Sequence, residues 1–157
     1  MISSTFLESN VYVIDQKGSF FKMESSFTIY NAKRQCVGYI KENQNTLLKI
    51  ATFIANKKYK KMLPFQFDIT DVDGNLIASI CRDWSILQSG ITINGSEGEE
   101  IAKLHRKARI GTSFDITDFY GHKVASISGD FFNWSFKITD GQGNQLGSIE
   151  KKWEGTT

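Results

Sequence analysis

Proline is almost missing from this chain of 157 residues: Pro64 stands alone against thirteen glycines. Glycine must therefore make the turns, which favours tight hairpins. Cysteine is nearly as scarce. Cys36 and Cys81 have no metal-like spacing, so two reduced thiols in a cytosolic protein are expected, not a disulfide framework. Long apolar runs are lacking too. The longest lies near residues 50–55, is interrupted by Thr52 and preceded by Lys49, and a spanning helix needs roughly 20 predominantly apolar residues. Residues 1–8 lack the basic run and apolar segment of a signal peptide. Net charge is also small, at a formal +2, which excludes the strongly basic balance of a dedicated nucleic-acid binder and sends any electrostatic search to local clusters.

What the chain does have is apolar surface: 40% hydrophobic residues, twelve Phe among them, enough to bury in one core. The length fits a single domain spanning residues 1–157.

Internal repetition decides the expected fold. Phe65, Phe67, Ile69 and Asp71 alternate, Gly74 follows in an Asp- and Gly-rich turn, and Leu76 to Ile80 begin a second apolar stretch, which reads as strand, turn, strand. The frame returns as Phe114, Ile116, Asp118, Gly121, Val124, Ala125 and Ile127. It returns again as Trp134, Phe136, Ile138, Asp140, Gly143, Leu146, Gly147 and Ile149. Weaker copies contain Ile93, Gly98, Ile101, Ala102 and Leu104, and Phe27, Ile29, Asn31, Val37, Gly38 and Ile40, with Arg34 in the turn-glycine place. A diverged copy includes Val13, Asp15, Gly18 and Phe21.

The Asp two residues past the last apolar position can accept turn N–H groups, and the Gly three residues later can take positive φ. A small residue recurs after each turn (Gly38, Ala78, Ala102, Ala125, Gly147), two before the last apolar one and on its face, keeping that face thin. The space suits aromatic side chains or a threaded helix. Six hairpins give about twelve strands, and closing them removes exposed edges, so the expected fold is a mainly β antiparallel barrel with one helix, the alternative being a two-layer sandwich.

The helix candidate is residues 45–56, within an insert of about 45–58. Leu47, Ile50, Ala51 and Ile54 share one face, and Asn45 or Thr46 is placed to cap its start. Lys57, Lys58, Lys60 and Lys61 follow, where they complement the negative end of the helix dipole or meet phosphate headgroups. Four lysines give about 4 kcal/mol at an anionic surface, equivalent to millimolar affinity, so a second patch is needed; Arg106, Lys107 and Arg109 supply it if they share that side.

No catalytic constellation competes. His105 and His122 lack a second ligand at zinc spacing. Asp71, Asp118 and Asp140 occupy one slot of the repeated turn, which explains their recurrence without catalysis. There is no Gly-x-Ser-x-Gly elbow and no Walker loop, and Gly95 to Gly98 fall in a hairpin turn. Trp84, Trp134 and Trp153 suit the core or rim of the fold.

The strand-Asp-x-x-Gly-strand hairpins, the Gly-Asp-Phe-Phe at 129–132, the Trp-x-Phe-x-Ile at 134–138 and the Ile-Glu-Lys-Lys-Trp at 149–153 resemble the superfamily of tubby C-terminal-like domains, which includes LURP-one-related proteins and phospholipid scramblases. The resemblance covers about residues 10–153, and the helical insert is similar to tubby-like domain proteins of Gram-positive bacteria. It implies a twelve-stranded barrel around a hydrophobic helix. In the tubby and scramblase branches that helix is C-terminal, whereas this sequence stops four residues after Trp153, so either residues 45–56 fill or cap the barrel or the sequence is a fragment. The scramblase branch's cysteine-rich stretch and membrane-inserting tail are not found, which argues against lipid scrambling itself.

The expectation is a non-enzymatic binding module without cofactor, cytoplasmic or peripheral to a membrane, whose partner is an anionic membrane surface or a membrane-associated protein and not nucleic acid. A structural or regulatory protein-interaction domain, and a barrel holding a small ligand or acting as an enzyme, stay open as alternatives.

Overall fold

A computed structural model describes residues 4–15, 26–43, 64–82, 90–107, 112–130 and 132–152. A short helix α1 (Ser4–Leu7) precedes the strands β1 (Tyr12–Asp15), β2 (Ser26–Asn31), β3 (Cys36–Glu42), β4 (Phe65–Asp71), β5 (Leu76–Arg82), β6 (Ile91–Asn94), β7 (Glu100–Arg106), β8 (Thr112–Asp118), β9 (Lys123–Asp130), β10 (Ser135–Asp140) and β11 (Gln145–Glu150). The eleven strands form one antiparallel sheet in chain order, an order with two ends. The mainly β reading is thus met. The helix at 45–56 and the second half of the first hairpin lie outside the described residues. The chain divides into two compact units, residues 1–100 and 101–157.

The turns form as their residues dictate. In the β4–β5 turn, Asp71 Oδ1 accepts N–H bonds from Asp73 (3.0 Å) and Asn75 (2.9 Å), and Asp71 Oδ2 accepts from Asn75 Nδ2 (2.9 Å). Asp71 is fully buried, and these donors are what make burial of a carboxylate tolerable. Gly74 N donates to the Asp71 carbonyl, Asp71 N donates to the Asn75 carbonyl, and the register shifts between Ile69 and Thr70: a three-residue loop closed by a bulge. Asp140 repeats the arrangement with Gln142 and Asn144, and Asn31 repeats it with Lys33 and Gln35.

In these described turns the residue three after the Asx slot is left-handed. Gly74, Gly98, Gly121 and Gly143 have φ of 87°, 85°, 84° and 88°, and Arg34, in the glycine's place, has φ 60°. The β6–β7 turn departs from the pattern, because Gly95 stands in the Asp slot. There Glu99 reaches back from the other side: its Oε2 accepts the N–H of Glu97, and its carboxylate fills the space that a side chain at position 95 would need.

The registers also explain the small residues. Gly38 lies opposite Ile29, Ala78 opposite Ile69, Ala125 opposite Ile116 and Gly147 opposite Ile138. Each thin position therefore accommodates the isoleucine across its own hairpin. At Gly38 the approach is closest, since an added Cβ would collide with the Thr70 carbonyl oxygen and meet the Phe6 ring at 3.0 Å. The aromatic filling the space there comes from α1, whose Phe6 also stacks on Tyr12 at 5.4 Å.

Alternation then sorts the faces. In unit 1 one face carries Phe27, Ile29, Ile40, Phe67, Ile69, Ile80 and Ile93, and the other carries Thr28, Lys41, Asp68, Ser79 and Thr92. In unit 2 one face carries Leu104, Phe114, Ile116, Ile127, Phe136 and Ile138, and the other carries Lys103, His105, Asp115, Thr117, Ser126, Ser128 and Lys137. Cys36 and Cys81 are not joined in a disulfide.

The turn account has opposite signs at two positions. Nothing lies within 4 Å of a Cβ added at Gly121, so Gly121→Ala costs only backbone strain, about 1–2 kcal/mol. Arg34→Gly relieves the same strain and is expected to be neutral or stabilising by up to about 1 kcal/mol. Urea unfolding of the two variants reads both, and equal effects would contradict the account.

Candidate functional site

The polar face of unit 2 concentrates cations around one carboxylate. Asp115 in β8 lies opposite His105 of β7 and Ser126 of β9. Ser126 Oγ donates to Asp115 Oδ1 at 2.9 Å, and the same oxygen receives the ammonium groups of Lys123 at 2.9 Å and Lys107 at 3.1 Å. Both lysine side chains stay 44% exposed, so their charge reaches solvent while their positions are fixed. The registers extend the face: Lys103 is opposite Thr117, Thr117 opposite Lys123, and Lys137 lies between Ser128 and Ser148.

One carboxylate thus anchors two cations among Ser and Thr hydroxyls. Such a face can accept an anion bearing several oxygens, with ammonium groups as point charges and hydroxyls as donors. Burial by itself pushes the Asp115 carboxyl up, but the bonds from Lys123, Lys107 and Ser126 outweigh it and hold it below the usual carboxylate range. The bond to Asp115 is the main reason the Lys123 ammonium is raised.

Unit 1 shows the same frame without the two lysine bonds among the described residues, although Lys41 lies opposite the carboxylate. Asp68 occupies the Asp115 slot, and Ser79 Oγ donates to it at 2.8 Å as Ser126 does to Asp115. Among the described residues its other donors are neutral: Gln66 Nε2 at 3.0 Å and Asn43 Nδ2 at 3.4 Å. This pairing was open to sequence reasoning. Phe-Asp-Ile-Thr-Asp occurs at both 67–71 and 114–118, and its first Asp falls on the face opposite the apolar residues. Attention to apolar positions alone passes over it.

Of the residues singled out from sequence, Arg106 and Lys107 part company. Arg106 ends β7 opposite Phe114, on the face of Leu104, whereas Lys107 follows it and reaches Asp115. Lys57, Lys58, Lys60, Lys61 and Arg109 lie outside the described residues, as do Trp84 and Trp153. Trp134 stands at the end of the sheet, 46% exposed, under the Lys151 ammonium at 5.0 Å from its ring.

Asp118 and Asp140 serve turns. Burial raises the Asp118 carboxyl, but the backbone and ring of His122, with Nδ1 3.3 Å from Oδ2, bring it below the usual range. The Asn144 side chain chiefly lowers Asp140. His122 thus takes the place that Asn75 and Asn144 hold in the other turns. Among the described residues no cluster of His, Cys, Asp and Glu is placed to hold a metal, and no helix is long and apolar enough to cross a membrane.

The lowered carboxyls fix a pH dependence. A carboxyl whose folded pKa is depressed stabilises the fold above its unfolded value, about 3.9, and that contribution is lost as pH falls through the folded value. Lys123, raised, contributes below its unfolded value of about 10.4 and loses the contribution as pH rises through the folded one. Carboxyl-detected NMR should find Asp115 titrating below about 3.9, and Lys123→Gln should move it upward. An Asp115 that titrates at its ordinary value in the unaltered protein would break the ion-pair account.

Compared with known families, residues 11–157 match the model of the family described as Scramblase. No curated protein and no solved structure matches the chain.

Proposed function

From the premise that this chain belongs to the scramblase family, a phospholipid- and membrane-related group, we propose that it is a non-enzymatic module engaging anionic phospholipid headgroups at a membrane surface. The family match carries the reading. The polar face of unit 2 supplies a chemistry for it, with Lys103, Lys107, Lys123 and Lys137 toward phosphate and carboxylate oxygens. Arg106 is proposed as a further contact, together with Lys57, Lys58, Lys60, Lys61 and Arg109. A cytoplasmic, membrane-peripheral location and a closed barrel over one domain belong to the same proposal.

The magnitude sets the expected behaviour. Each lysine near an anionic surface contributes about 1 kcal/mol, so four give about 4 kcal/mol, which corresponds to millimolar affinity. Binding should therefore be weak, reversible and salt-sensitive, because exposed charges are screened within roughly 10 Å at 0.1 M salt.

Flotation tests this with vesicles of phosphatidylcholine alone and with about one-third phosphatidylserine. The protein should float with the anionic vesicles only and be released by about 0.5 M salt, as the screening length shortens. Replacing Lys103, Lys107, Lys123 and Lys137 by Gln should reduce flotation by tenfold or more, since each tenfold corresponds to about 1.4 kcal/mol. Absence of any binding to anionic vesicles removes the lipid reading and leaves a protein-interaction role.

A further inference from the structure

Charge alone gives weak attachment, and one end of unit 2 offers the missing apolar contribution. In the antiparallel order β7, β9 and β11 stop at the same end, where β10 begins. The connection from β9 to β10 presents Phe132 at 98% exposure, the most exposed of the large hydrophobic residues described. An almost wholly hydrated phenyl ring forgoes the burial that such a side chain normally supplies.

Hydrogen bonds tie the described residues of this connection to one another. Asp130 Oδ1 accepts the Phe132 N–H at 2.8 Å, and Oδ2 accepts from Asn133 Nδ2 at 2.9 Å. Trp134 follows with φ 47°, a left-handed conformation unusual for a bulky residue, and its carbonyl accepts the Lys151 N–H at 3.0 Å. Phe132 is thus held at its own N–H, and two residues on stands the half-exposed Trp134 with the Lys151 ammonium over its ring. Lys152, Arg106 and Lys107 stand at the same end.

The opposite end is a natural comparison. Its β8–β9 turn also shows aromatics, Phe119 at 66% and Tyr120 at 80% exposure. The turns there, 118–122 and 140–144, contain Asp118 and Asp140 and, like 130–134 with Asp130, no Lys or Arg, so the difference lies in the strand ends around them. Lys123 follows the β8–β9 turn with its ammonium on Asp115, whereas Arg106, Lys107, Lys151 and Lys152 gather at the Phe132 end and outnumber the carboxylates of Asp130 and Glu150 there. Trp at a polar boundary, an apolar wedge and flanking lysines are the combination that a bilayer interface stabilises.

We propose that Phe132 and Trp134 form an interfacial anchor that inserts into the outer layer of an anionic phospholipid bilayer, with Lys151, Lys152, Arg106 and Lys107 contacting the headgroups around it. This rests on the lipid reading above and adds which end of unit 2 faces the membrane and how it holds.

The test compares Phe132→Ala, Phe132→Trp and, as a control, Phe119→Ala with the unaltered protein, by flotation on vesicles with about one-third phosphatidylserine. Both sites are exposed, so melting temperatures should agree. Phe132→Ala should weaken partitioning about tenfold or more, while Phe119→Ala should leave it unchanged. Phe132→Trp should bind as the unaltered protein does, with a blue shift of tryptophan emission on the vesicles. If the unaltered protein floats and Phe132→Ala floats equally well, the anchor is wrong and the lipid reading stands. If Phe119→Ala is the weakened variant, the membrane meets the other end. If the unaltered protein does not float, both readings fall.

Discussion

The fold depends on an Asx side chain that takes over the backbone N–H groups of a turn while the residue three positions later turns left-handed. An unpaired N–H in a tight turn would compete with strand pairing for any acceptor nearby. By satisfying those groups locally, Asp71, Asp140 and Asn31 fix where each hairpin bends, and the bulge that closes the turn fixes its register. A slip of one residue would exchange the apolar and polar faces. The arrangement of Lys107, Asp115 and Lys123 on one face is therefore a downstream consequence of turn chemistry.

Variation within this frame shows what is constrained. Arg34 keeps the left-handed conformation without being glycine, and Glu99 supplies from the far side of the turn a carboxylate that Gly95 cannot. His122 replaces the asparagine of the fifth position and still meets the turn carboxylate. What persists is the set of hydrogen bonds; the residues providing them change. On the outward face the reverse holds. Asp68 and Asp115 have the same serine partner, yet only Asp115 is ringed by ammonium groups, and Lys137 replaces the carboxylate altogether in the next hairpin. The apolar face and the turn bonds leave the charge of that face unspecified, and in unit 2 it has become cationic.

The hairpins were legible because their signals are local: the Asx, the glycine and a period of two lie within about fifteen residues of one another. The small residues were legible as well, although their reason differed from expectation at most positions. Apart from Phe6 over Gly38, the space answers an isoleucine across the hairpin. The split between Arg106 and Lys107 follows from alternation once β7 is placed, but a cluster read as a run of charge hides it. The Asp115 ion pairs were harder, because they join residues from β8, β9 and the end of β7 whose proximity depends on registers. The rigid display of Phe132 depends on the Asp130 bonds and on the φ of Trp134, and a Gly-Asp-Phe-Phe string by itself discloses neither.

Hydrogen exchange on and off anionic vesicles tests the central claim most directly, because it reports which backbone segments approach the bilayer without altering any residue. The account predicts slower exchange on vesicles in peptides covering residues 130–134 and 103–107, with peptides over 118–122 and 140–144 unchanged. Protection confined to the 118–122 and 140–144 turns, or no difference anywhere in unit 2, would contradict it.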